Sequence, residues 1–400
     1  MKKINPPSSE MKVLVHHAEI GLKGGHFSFF ERRLVENIKK SSFRAKIKLG
    51  GIQRKEKRIF CDFESKNPEE VTSLLKKVFG IKYFSFVKEI NLNQDELEDY
   101  VKGILKQLKK EKIKKIAFKT KRANKKFPKT SVEINSNLGS IANSLGIKVD
   151  YKNSEKKIFI EITDKIYVYT ERFEGLGGLP VGTSGKVLCL LSGGIDSIVA
   201  AWLMMKRGCE IDFLHFHTYK ENKDVLGGKI IKLVEILNDF QYSSKVYFIP
   251  YYIYFFESQG RIDERYDVVM FKNYMLKLGE RIALEKNSEQ VHKRLRGLVT
   301  GDNLAQVASQ TLENINASSF KINLPIFRPL LTYDKQEIIN LSEKIGTYLL
   351  SLKEYKDCCS LLGKRVSVKT EIDTFEKELK KLDMEEIINK SLKEIFEINL

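Results

Sequence analysis

Residues 192–197 (SGGIDS) combine the residue types that bind a phosphate group. Two glycines let the backbone turn tightly and approach a phosphate, and the N–H groups that begin a following helix attract an anion. The hydroxyls of Ser192 and Ser197 are further donors, and the carboxylate of Asp196 can hold Mg²⁺ or orient a nucleotide. A Walker A loop is excluded, because Gly185-Lys186 lacks the glycine found five positions earlier in such loops. The alternative is a glycine-rich turn without a ligand.

The neighbouring elements favour a ligand-binding loop. Residues 187–191 (VLCLL) form the continuous apolar run of a buried parallel strand, and residues 198–206 have helical spacing. Strand patterns at 211–216, 246–249 and 297–300 then alternate with helical stretches. This alternation predicts a parallel α/β sheet in the catalytic half. Residues 371–400 are predicted to form a charged helical tail that serves packing or dimerisation.

Positive charge is concentrated in the first half of the chain. Residues 1–183 carry 39 basic and 22 acidic residues, a net charge of +17, whereas the remainder carries only +1. This asymmetry predicts a polyanion-binding half joined to a roughly neutral catalytic half. Short strands and helices predict two small α+β domains at 11–78 and 79–172, and the glycine-rich stretch 173–183 predicts a linker.

The segment 102–129 has the composition of an RNA-binding surface. It carries thirteen Lys and Arg residues against one acidic residue. Part of this charge belongs to the solvated face of a helix. Phosphate contacts and base stacking are predicted beyond that helix, with Phe118 and Phe127 as the aromatic partners. The candidate RNA-binding residues are Lys119, Lys121, Arg122, Lys125 and Lys126.

The loop at 192–197 resembles the PP-loop of ATP pyrophosphatases, enzymes that cleave ATP between the α and β phosphates and form an adenylate. More narrowly, the chain resembles the tRNA 4-thiouridine synthetase (tRNA sulfurtransferase) family, in order and without a large gap over residues 11–370. The resemblance is carried by residues 18–24 (AEIGLKG), 118–125 (FKTKRANK), 179–186 (LPVGTSGK), 298–311 (LVTGDNLAQVASQT) and 327–335 (FRPLLTYDK).

The resemblance implies a ferredoxin-like domain at 11–78, a THUMP domain at 79–172 and a doubly wound PP-loop domain at 184–370, in the form without a rhodanese domain. It assigns catalysis to Asp196 and to Lys335, which can donate to phosphate as pyrophosphate leaves. A structural role for His215 and a polar helix start at Gln310 are alternatives. The implied ATP site contains Leu191, Ser192, Gly193, Gly194, Ile195, Ser197, His215, Phe216, Gly301 and Gln310.

Three features depart from the family pattern. Asp302 stands where the family has Glu, which keeps the carboxylate on a shorter side chain. Residues 287–296 form a small basic insertion, and Lys272-Asn273 replaces a pair of arginines.

Cys358 and Cys359 lie where the family carries a sulfur-transfer cysteine. Adjacent cysteines do not pair readily with each other, and they are too close for ordinary zinc spacing. The resemblance implies that one of the two accepts persulfide sulfur from a cysteine desulfurase and attacks the adenylated uridine. An iron–sulfur cluster is the alternative, but there is no Cys-x-x-Cys pair, and Cys189 and Cys209 are predicted core residues. Two buried structural cysteines are the other alternative.

Together these features predict an ATP- and Mg²⁺-dependent tRNA sulfurtransferase that forms 4-thiouridine, at tRNA position 8 by resemblance. The alternatives are a PP-loop tRNA-modifying enzyme of the 2-thiolation or lysidine type, and a THUMP RNA-binding protein with a vestigial ATP site. A homodimer is left open. The chain has no apolar run of about 18 residues and no secretory signal, and its five cysteines are irregularly spaced, so a cytoplasmic protein is expected.

Overall fold

The structure is a computed structural model that describes residues 11–22, 24–285, 294–355, 358–362 and 366–400, with the backbone alone for residues 22, 359 and 360. It divides into two compact units, Met1–Gly178 and Leu179–Leu400. Most of the basic insertion predicted at 287–296 lies outside the described residues. Within the described ranges, no helix is both long enough and apolar enough to cross a membrane.

The first sheet of the first unit is antiparallel and packs against two helices. The first helix buries Leu34 and Ile38 and exposes its opposite face to solvent. Asn67 caps the second helix by accepting a hydrogen bond from the backbone N–H of Glu69. The elements are β1 (Met11–His17), α1 (Phe27–Arg44), β2 (Lys48–Lys55), β3 (Arg58–Glu64), α2 (Pro68–Leu75) and β4 (Ile81–Phe86).

The second sheet has the strand order β5-β9-β8-β6-β7 and contains both parallel and antiparallel pairs. Two helices cover it, and a capping box between Thr130 and Glu133 begins the second of them. The elements are β5 (Lys88–Ile90), α3 (Gln94–Lys110), β6 (Lys115–Arg122), α4 (Ser131–Ser144), β7 (Lys148–Val149), β8 (Lys156–Ile162) and β9 (Ile166–Tyr169).

A buried ion cluster joins the two sheets of the first unit. Glu161 on β8 is only 1% exposed, and it pairs with Arg58 on β3 and with His16 on β1. Burial alone would raise the pKa of Glu161, but the hydrogen bonds and charges of His16 and Arg58 lower it to about 2. The carboxylate therefore stays ionised and ties the sheets together. Apolar contacts beside it come from Leu14, Phe60, Phe159, Tyr167 and Tyr169.

The glycine-rich stretch after β9 is more structured than a free linker. Its first residues form β10 (Phe173–Glu174), which pairs with β4 at the edge of the first sheet. A Cβ at Gly175 would lie 2.3 Å from the carbonyl oxygen of Ile81, so only glycine fits there. Two residues beyond, the N–H of Gly177 donates to the same carbonyl. Leu179 already belongs to the second unit, where its N–H donates to Lys206.

The second unit is built on a six-stranded sheet of order β15-β14-β11-β12-β13-β16. All neighbouring strands are parallel except the pair β13 and β16. This confirms the predicted α/β fold class. The elements up to residue 351 are β11 (Lys186–Leu190), α5 (Ile195–Lys206), β12 (Glu210–His217), α6 (Lys229–Gln241), β13 (Lys245–Pro250), α7 (Tyr252–Ser258), α8 (Asp267–Glu285), β14 (Leu295–Val299), α9 (Leu312–Ser318), β15 (Ile326–Phe327), α10 (Lys335–Ile345) and α11 (Tyr348–Ser351).

The C-terminal segment differs from the predicted helical tail. Its helices α12 (Ile372–Leu379) and α13 (Met384–Lys393) bury Phe375, Ile387 and Ile388 in the core of the second unit. The chain then forms β16 (Phe396–Asn399), which pairs antiparallel with β13. The segment is therefore part of the second unit: its helices pack in the core, and its last strand extends the sheet.

Candidate active site

The glycine-rich loop lies where the strand order of the parallel sheet reverses. From β11 the chain builds β12 and β13 on one side and later β14 and β15 on the other. Loops that leave the carboxyl ends of β11 and β14 therefore diverge and leave a crevice between them. The segment after β11 is the loop 192–197, and the segment after β14 contains Gly301. Sequence positions about a hundred residues apart thus meet at the usual ligand site of this architecture.

Hydrogen bonds inside the loop fix its shape. The N–H of Ser192 donates to the hydroxyl oxygen of Ser197 at 3.0 Å, and the two hydroxyl oxygens lie 3.1 Å apart. The N–H of Gly194 donates to the hydroxyl oxygen of Ser192 at 3.2 Å. Both serines therefore bond within the loop, where they orient the backbone N–H groups at the start of α5.

Gly301 makes the closest approach to the loop. A Cβ at this position would lie 2.6 Å from the backbone nitrogen of Ser197 and 2.8 Å from the carbonyl carbon of Asp196. Such distances are impossible for real atoms, so a side chain here would displace the first turn of α5. Glycine at this position lets the segment after β14 approach the first turn of α5, and the assignment of Gly301 to the ATP site stays a prediction.

Asp196 and Lys335 form an ion pair at the start of two helices. The Nζ of Lys335 lies 2.7 Å from Oδ1 of Asp196. Asp196 is in the first turn of α5, and Lys335 is the first residue of α10, which packs against α5. Asp334 caps α10 and so fixes the start of the helix from which the Lys335 side chain projects. The two residues predicted to be catalytic are therefore in direct contact, and both remain partly exposed to solvent.

A buried charge cluster, which the sequence did not predict, lies next to Gly301. Asp302 accepts from Lys272 at 3.0 Å, from Arg328 at 3.3 Å and from the hydroxyl of Thr300 at 2.8 Å. Burial alone would raise the pKa of Asp302, but Lys272, Thr300 and Arg328 outweigh it and hold the pKa below its usual value. Lys272 and Asp302, which the sequence analysis singled out separately, are therefore partners.

His215 is a neutral, fully bonded histidine beside the loop. Its Nδ1 lies 2.7 Å from the carbonyl oxygen of Leu191 and its Nε2 lies 2.6 Å from the hydroxyl of Tyr355. A carbonyl oxygen only accepts, so Nδ1 carries the proton and Nε2 accepts from Tyr355. Burial lowers the pKa of His215 to about 4, which keeps the ring neutral. The side chain of Phe216 packs in the core against Phe271, so only its backbone is available to a nucleotide.

The four cysteines of the second unit fall into two groups. Cys189 and Cys209 are buried, which confirms the prediction that they are core residues, and burial raises the pKa of both thiols. Cys358 is 1% exposed, and its Sγ lies 3.3 Å from the carbonyl oxygen of Phe216, at the end of β12. The side chain of Cys359 lies outside the described residues. One of the two candidate sulfur carriers is thus held beside the strand that carries His215.

Gln310 is the least connected of the predicted ATP ligands. Its side-chain oxygen Oε1 is buried and has no hydrogen-bond partner among the described residues. Its backbone closes the loop after Asp302, since the N–H of Ala305 donates to the carbonyl oxygen of Gln310 at 2.9 Å. Its assignment to ATP stays a prediction.

The predicted RNA-binding segment is partly exposed and partly structural. Lys119, Lys121, Lys125 and Lys126 are exposed at and after β6. Arg122 instead donates to the carbonyl oxygens of Phe127 and Lys129, at 2.8 and 3.1 Å, and so holds the loop that follows the strand.

The prediction that Phe118 and Phe127 stack on bases is wrong. Both rings are buried in the core of the second sheet, with Phe118 fully buried and Phe127 only 5% exposed. The basic side chains therefore lie over an apolar core that is closed to a nucleobase.

Comparison with known proteins gives matches over all three parts of the chain. Residues 182–384 match the family described as thiamine biosynthesis protein (ThiI), residues 12–85 match the ThiI ferredoxin-like domain, and residues 92–171 match the THUMP domain. A Caldanaerobacter subterraneus subsp. tengcongensis protein named "Probable tRNA sulfurtransferase" is 35% identical over 391 residues, which cover 96% of this chain and 99% of that protein.

A second relative and one solved structure agree with these matches. A Methanocaldococcus jannaschii protein with the same name is 38% identical over 377 residues, which cover 90% of this chain and 93% of that protein. The crystal structure of a 4-thiouridine synthetase–RNA complex with bound ATP matches with a TM-score of 0.84 and 29% identity. That match covers 98% of this chain and 99% of the solved one.

Proposed function

This chain belongs to the ThiI family, and from that membership we propose that it is an ATP-dependent tRNA sulfurtransferase that forms 4-thiouridine. The observation that carries the proposal is the Asp196–Lys335 pair at the switch point of the sheet, directly beside the glycine-rich loop. The ion pair, the close approach of Gly301 to α5 and the hydrogen bonds within the loop are all present together, which argues against a vestigial ATP site.

The first step is adenylation of the uridine base. The O4 oxygen attacks the α-phosphorus of ATP, the bond between the α-phosphorus and the bridging oxygen breaks, and pyrophosphate leaves with the electron pair. The N–H groups at the start of α5, residues 195–197, and the ammonium of Lys335 stabilise the negative charge that grows on the leaving pyrophosphate. Mg²⁺, when bound, supplies further charge neutralisation. Asp196 is the carboxylate oxygen donor at this point, which is the ligand type that Mg²⁺ prefers.

The second step transfers sulfur to the adenylated base. A persulfide on Cys358 or Cys359, loaded by a cysteine desulfurase, attacks C4 with its terminal sulfur, and AMP leaves as the C4–O bond breaks. A thiolate of a thiol reductant from solution attacks Sγ of the enzyme cysteine, so that the S–S bond breaks, 4-thiouridine leaves and a mixed disulfide forms. A second thiol of the reductant then cleaves this mixed disulfide and restores the enzyme, because adjacent cysteines do not readily form a disulfide between themselves.

RNA is held by the first unit in this proposal. The four exposed lysines at 119, 121, 125 and 126 offer phosphate contacts without base contacts, which suits recognition of tRNA by its shape and backbone. A homodimer would provide a second such surface. Modification at position 8, the desulfurase donor and a cytoplasmic location complete the proposal.

One experiment tests the function directly. The protein is incubated with unmodified tRNA, ATP, Mg²⁺, a thiol reductant, and a cysteine desulfurase with cysteine as the source of persulfide sulfur. The nucleosides are then separated by liquid chromatography and identified by mass spectrometry. We expect 4-thiouridine, with AMP and pyrophosphate formed alongside it. A 2-thiolated nucleoside or lysidine would instead identify one of the related PP-loop activities, and the absence of AMP would identify a vestigial site.

A further inference from the structure

Tyr355 lies shortly before the cysteine pair and contacts the glycine-rich loop, residues 192–197, which is called the ATP loop from here on. We propose that Tyr355 is a positioning residue for sulfur transfer, which holds Cys358 beside the ATP loop through a hydrogen bond to His215. The proposal rests on the function proposed above. It deepens that function by separating the residues that activate the base from those that deliver sulfur to it.

The first support is a chain of hydrogen bonds that reaches the loop. The hydroxyl of Tyr355 donates to Nε2 of His215 at 2.6 Å, and Nδ1–H of His215 donates to the carbonyl oxygen of Leu191 at 2.7 Å. Leu191 is the residue directly before the loop. The side chain of His215, which is 1% exposed, therefore links Tyr355 to the residue before the loop.

The second support is the contact between the tyrosine ring and the loop itself. A Cβ at Gly193 would lie 2.7 Å from Cδ1 and 3.1 Å from Cγ of Tyr355. The ring therefore packs directly against the loop backbone, at a distance that only glycine allows. Gly193 was assigned to phosphate binding, and this contact gives the same residue a second reason to lack a side chain.

The third support is that the segment is held at both ends. On the N-terminal side, Nζ of Lys229 donates to the carbonyl oxygens of Ser351 and Lys353, each at 2.7 Å. On the C-terminal side, Sγ of Cys358 donates to the carbonyl oxygen of Phe216 at 3.3 Å. Tyr355 and Cys358 thus contact consecutive residues of β12, His215 and Phe216. The two residues are three positions apart in the chain, so holding the tyrosine limits where the cysteine can lie.

This arrangement predicts a division of labour. Cys358 is almost completely buried, so in this proposal, with Cys358 as the sulfur carrier, its thiol leaves this position to be loaded with sulfur and returns to attack the adenylate. The Tyr355–His215 bond defines the position to which it returns. Without the hydroxyl, the base is still adenylated, but the sulfur arrives less often in reach of C4, and water hydrolyses part of the adenylate. AMP would then be formed in excess of 4-thiouridine.

The test uses the full-length protein with Tyr355→Phe, which removes only the hydroxyl. Tyr252→Phe, an exposed tyrosine on α7 of the same unit, is the matched control. We expect pyrophosphate release in the Tyr355 variant to stay within about twofold of the wild type, and 4-thiouridine formation to fall about tenfold. The ratio of AMP to 4-thiouridine should therefore rise well above that of the control.

A second measurement needs no turnover. Iodoacetamide labelling without substrates, located by peptide mass spectrometry, should modify Cys358 about fivefold faster or more in Tyr355→Phe than in Tyr252→Phe. His215→Gln should raise the labelling rate similarly. The double variant should add little, because each change breaks the same hydrogen bond, the one between Tyr355 and His215. An unchanged labelling rate, or a parallel loss of pyrophosphate release and thiolation, would overturn the proposal. If the wild type forms no 4-thiouridine but Tyr355→Phe still speeds the labelling of Cys358, the proposed sulfurtransferase function is wrong, while the proposal that Tyr355 holds Cys358 is supported.

Discussion

Lys335 and Asp196 are 139 positions apart in the chain, and their side chains meet at 2.7 Å. Each is placed by the start of a helix: α5 presents the carboxylate just after the glycine-rich loop, and α10 presents the ammonium at its first residue. A carboxylate and an ammonium in contact can exchange partners when a triphosphate arrives, since the phosphate oxygens attract the lysine and Mg²⁺ attracts the aspartate.

Removing either member of this pair should stop adenylation. Asp196→Ala and Lys335→Met should each lower pyrophosphate release by about 100-fold or more, because each removes a charge that acts on the triphosphate. Binding of tRNA should persist, since its surface lies in the first unit. Lys344→Met, at the exposed end of the same helix as Lys335, is the control and should retain activity. Normal turnover in Asp196→Ala would contradict the proposed site.

Charge reversal on the exposed lysines of β6 should weaken tRNA binding. Lys119→Glu combined with Lys121→Glu should reduce affinity, and the slope of log K against log salt should fall by about 2 if each lysine contacts one phosphate. The KM for tRNA should rise while kcat at saturating tRNA changes little. Lys377→Glu on α12 with Lys380→Glu at its C-cap makes the same change in net charge in the second unit. Equal effects of the two pairs would show that only net charge matters.

Replacing both cysteines of the adjacent pair should separate the two chemical steps. Cys358→Ser with Cys359→Ser should abolish 4-thiouridine while AMP and pyrophosphate are still formed, and the two single variants should identify the sulfur carrier. Turnover by the wild type should stop after about one cycle without a thiol reductant. Stoichiometric iron and sulfide in anaerobically purified protein would instead indicate a cluster mechanism.

Stability of the second unit should fall as the pH is lowered below the usual pKa of histidine. Burial lowers the pKa of His215 to about 4 from 6.5, so the unfolded chain binds a proton in this window that the folded protein refuses. The stabilisation is complete above pH 6.5 and is lost as the pH falls towards 4, and the loss between pH 7.5 and pH 5 is on the order of 2 kcal/mol. Urea unfolding at pH 7.5 and 5, followed by the fluorescence of the single tryptophan, Trp202 on α5, measures it.

His215→Gln is the comparison for the pH experiment. This variant should have a smaller difference between the two pH values than the wild type. Part of the difference should remain, because burial also lowers the pKa of His217. A pH dependence that the substitution leaves unaltered would show that His215 is charged in the folded protein.

A side chain at Gly301 should damage the loop. Gly301→Ala places a Cβ against the backbone of Asp196 and Ser197 and should cost about 1–3 kcal/mol of stability. Adenylation should fall by more than the loss of folded protein explains, because the first turn of α5 must shift. Gly103→Ala on α3 is the control: its Cβ meets open space, and alanine favours a helix, so stability should rise slightly. Equal activity in both variants would contradict the steric argument.

The sequence predicted the features that depend on local pattern. The apolar run before the loop, the helix that follows the loop and the alternating elements of the second half are each visible within about twenty residues, and the structure contains them. The approach of Gly301 to α5 and the partnership of Lys272 with Asp302 are tertiary contacts, which no local pattern encodes.

The errors have the same origin. Phe118 and Phe127 lie in a basic segment, and only the fold shows that their rings face the core while the lysines face solvent. The last strand, Phe396–Asn399, differs from the predicted helix, because it is too short for an alternating pattern to be distinguished from the helix before it. The role of Tyr355 also depends on two distant partners, His215 and Gly193, and its own neighbours in sequence gave no signal.

The contact at Gly301 has a consequence for how the gene can vary. Every single-base change in a glycine codon that alters the residue adds at least one carbon at the Cβ position, and at this site the first such carbon already overlaps the backbone of Ser197. No single-base substitution at codon 301 that changes the amino acid is therefore expected to be neutral. An escape would need a coordinated change in the path of α5, which would move Asp196 away from Lys335.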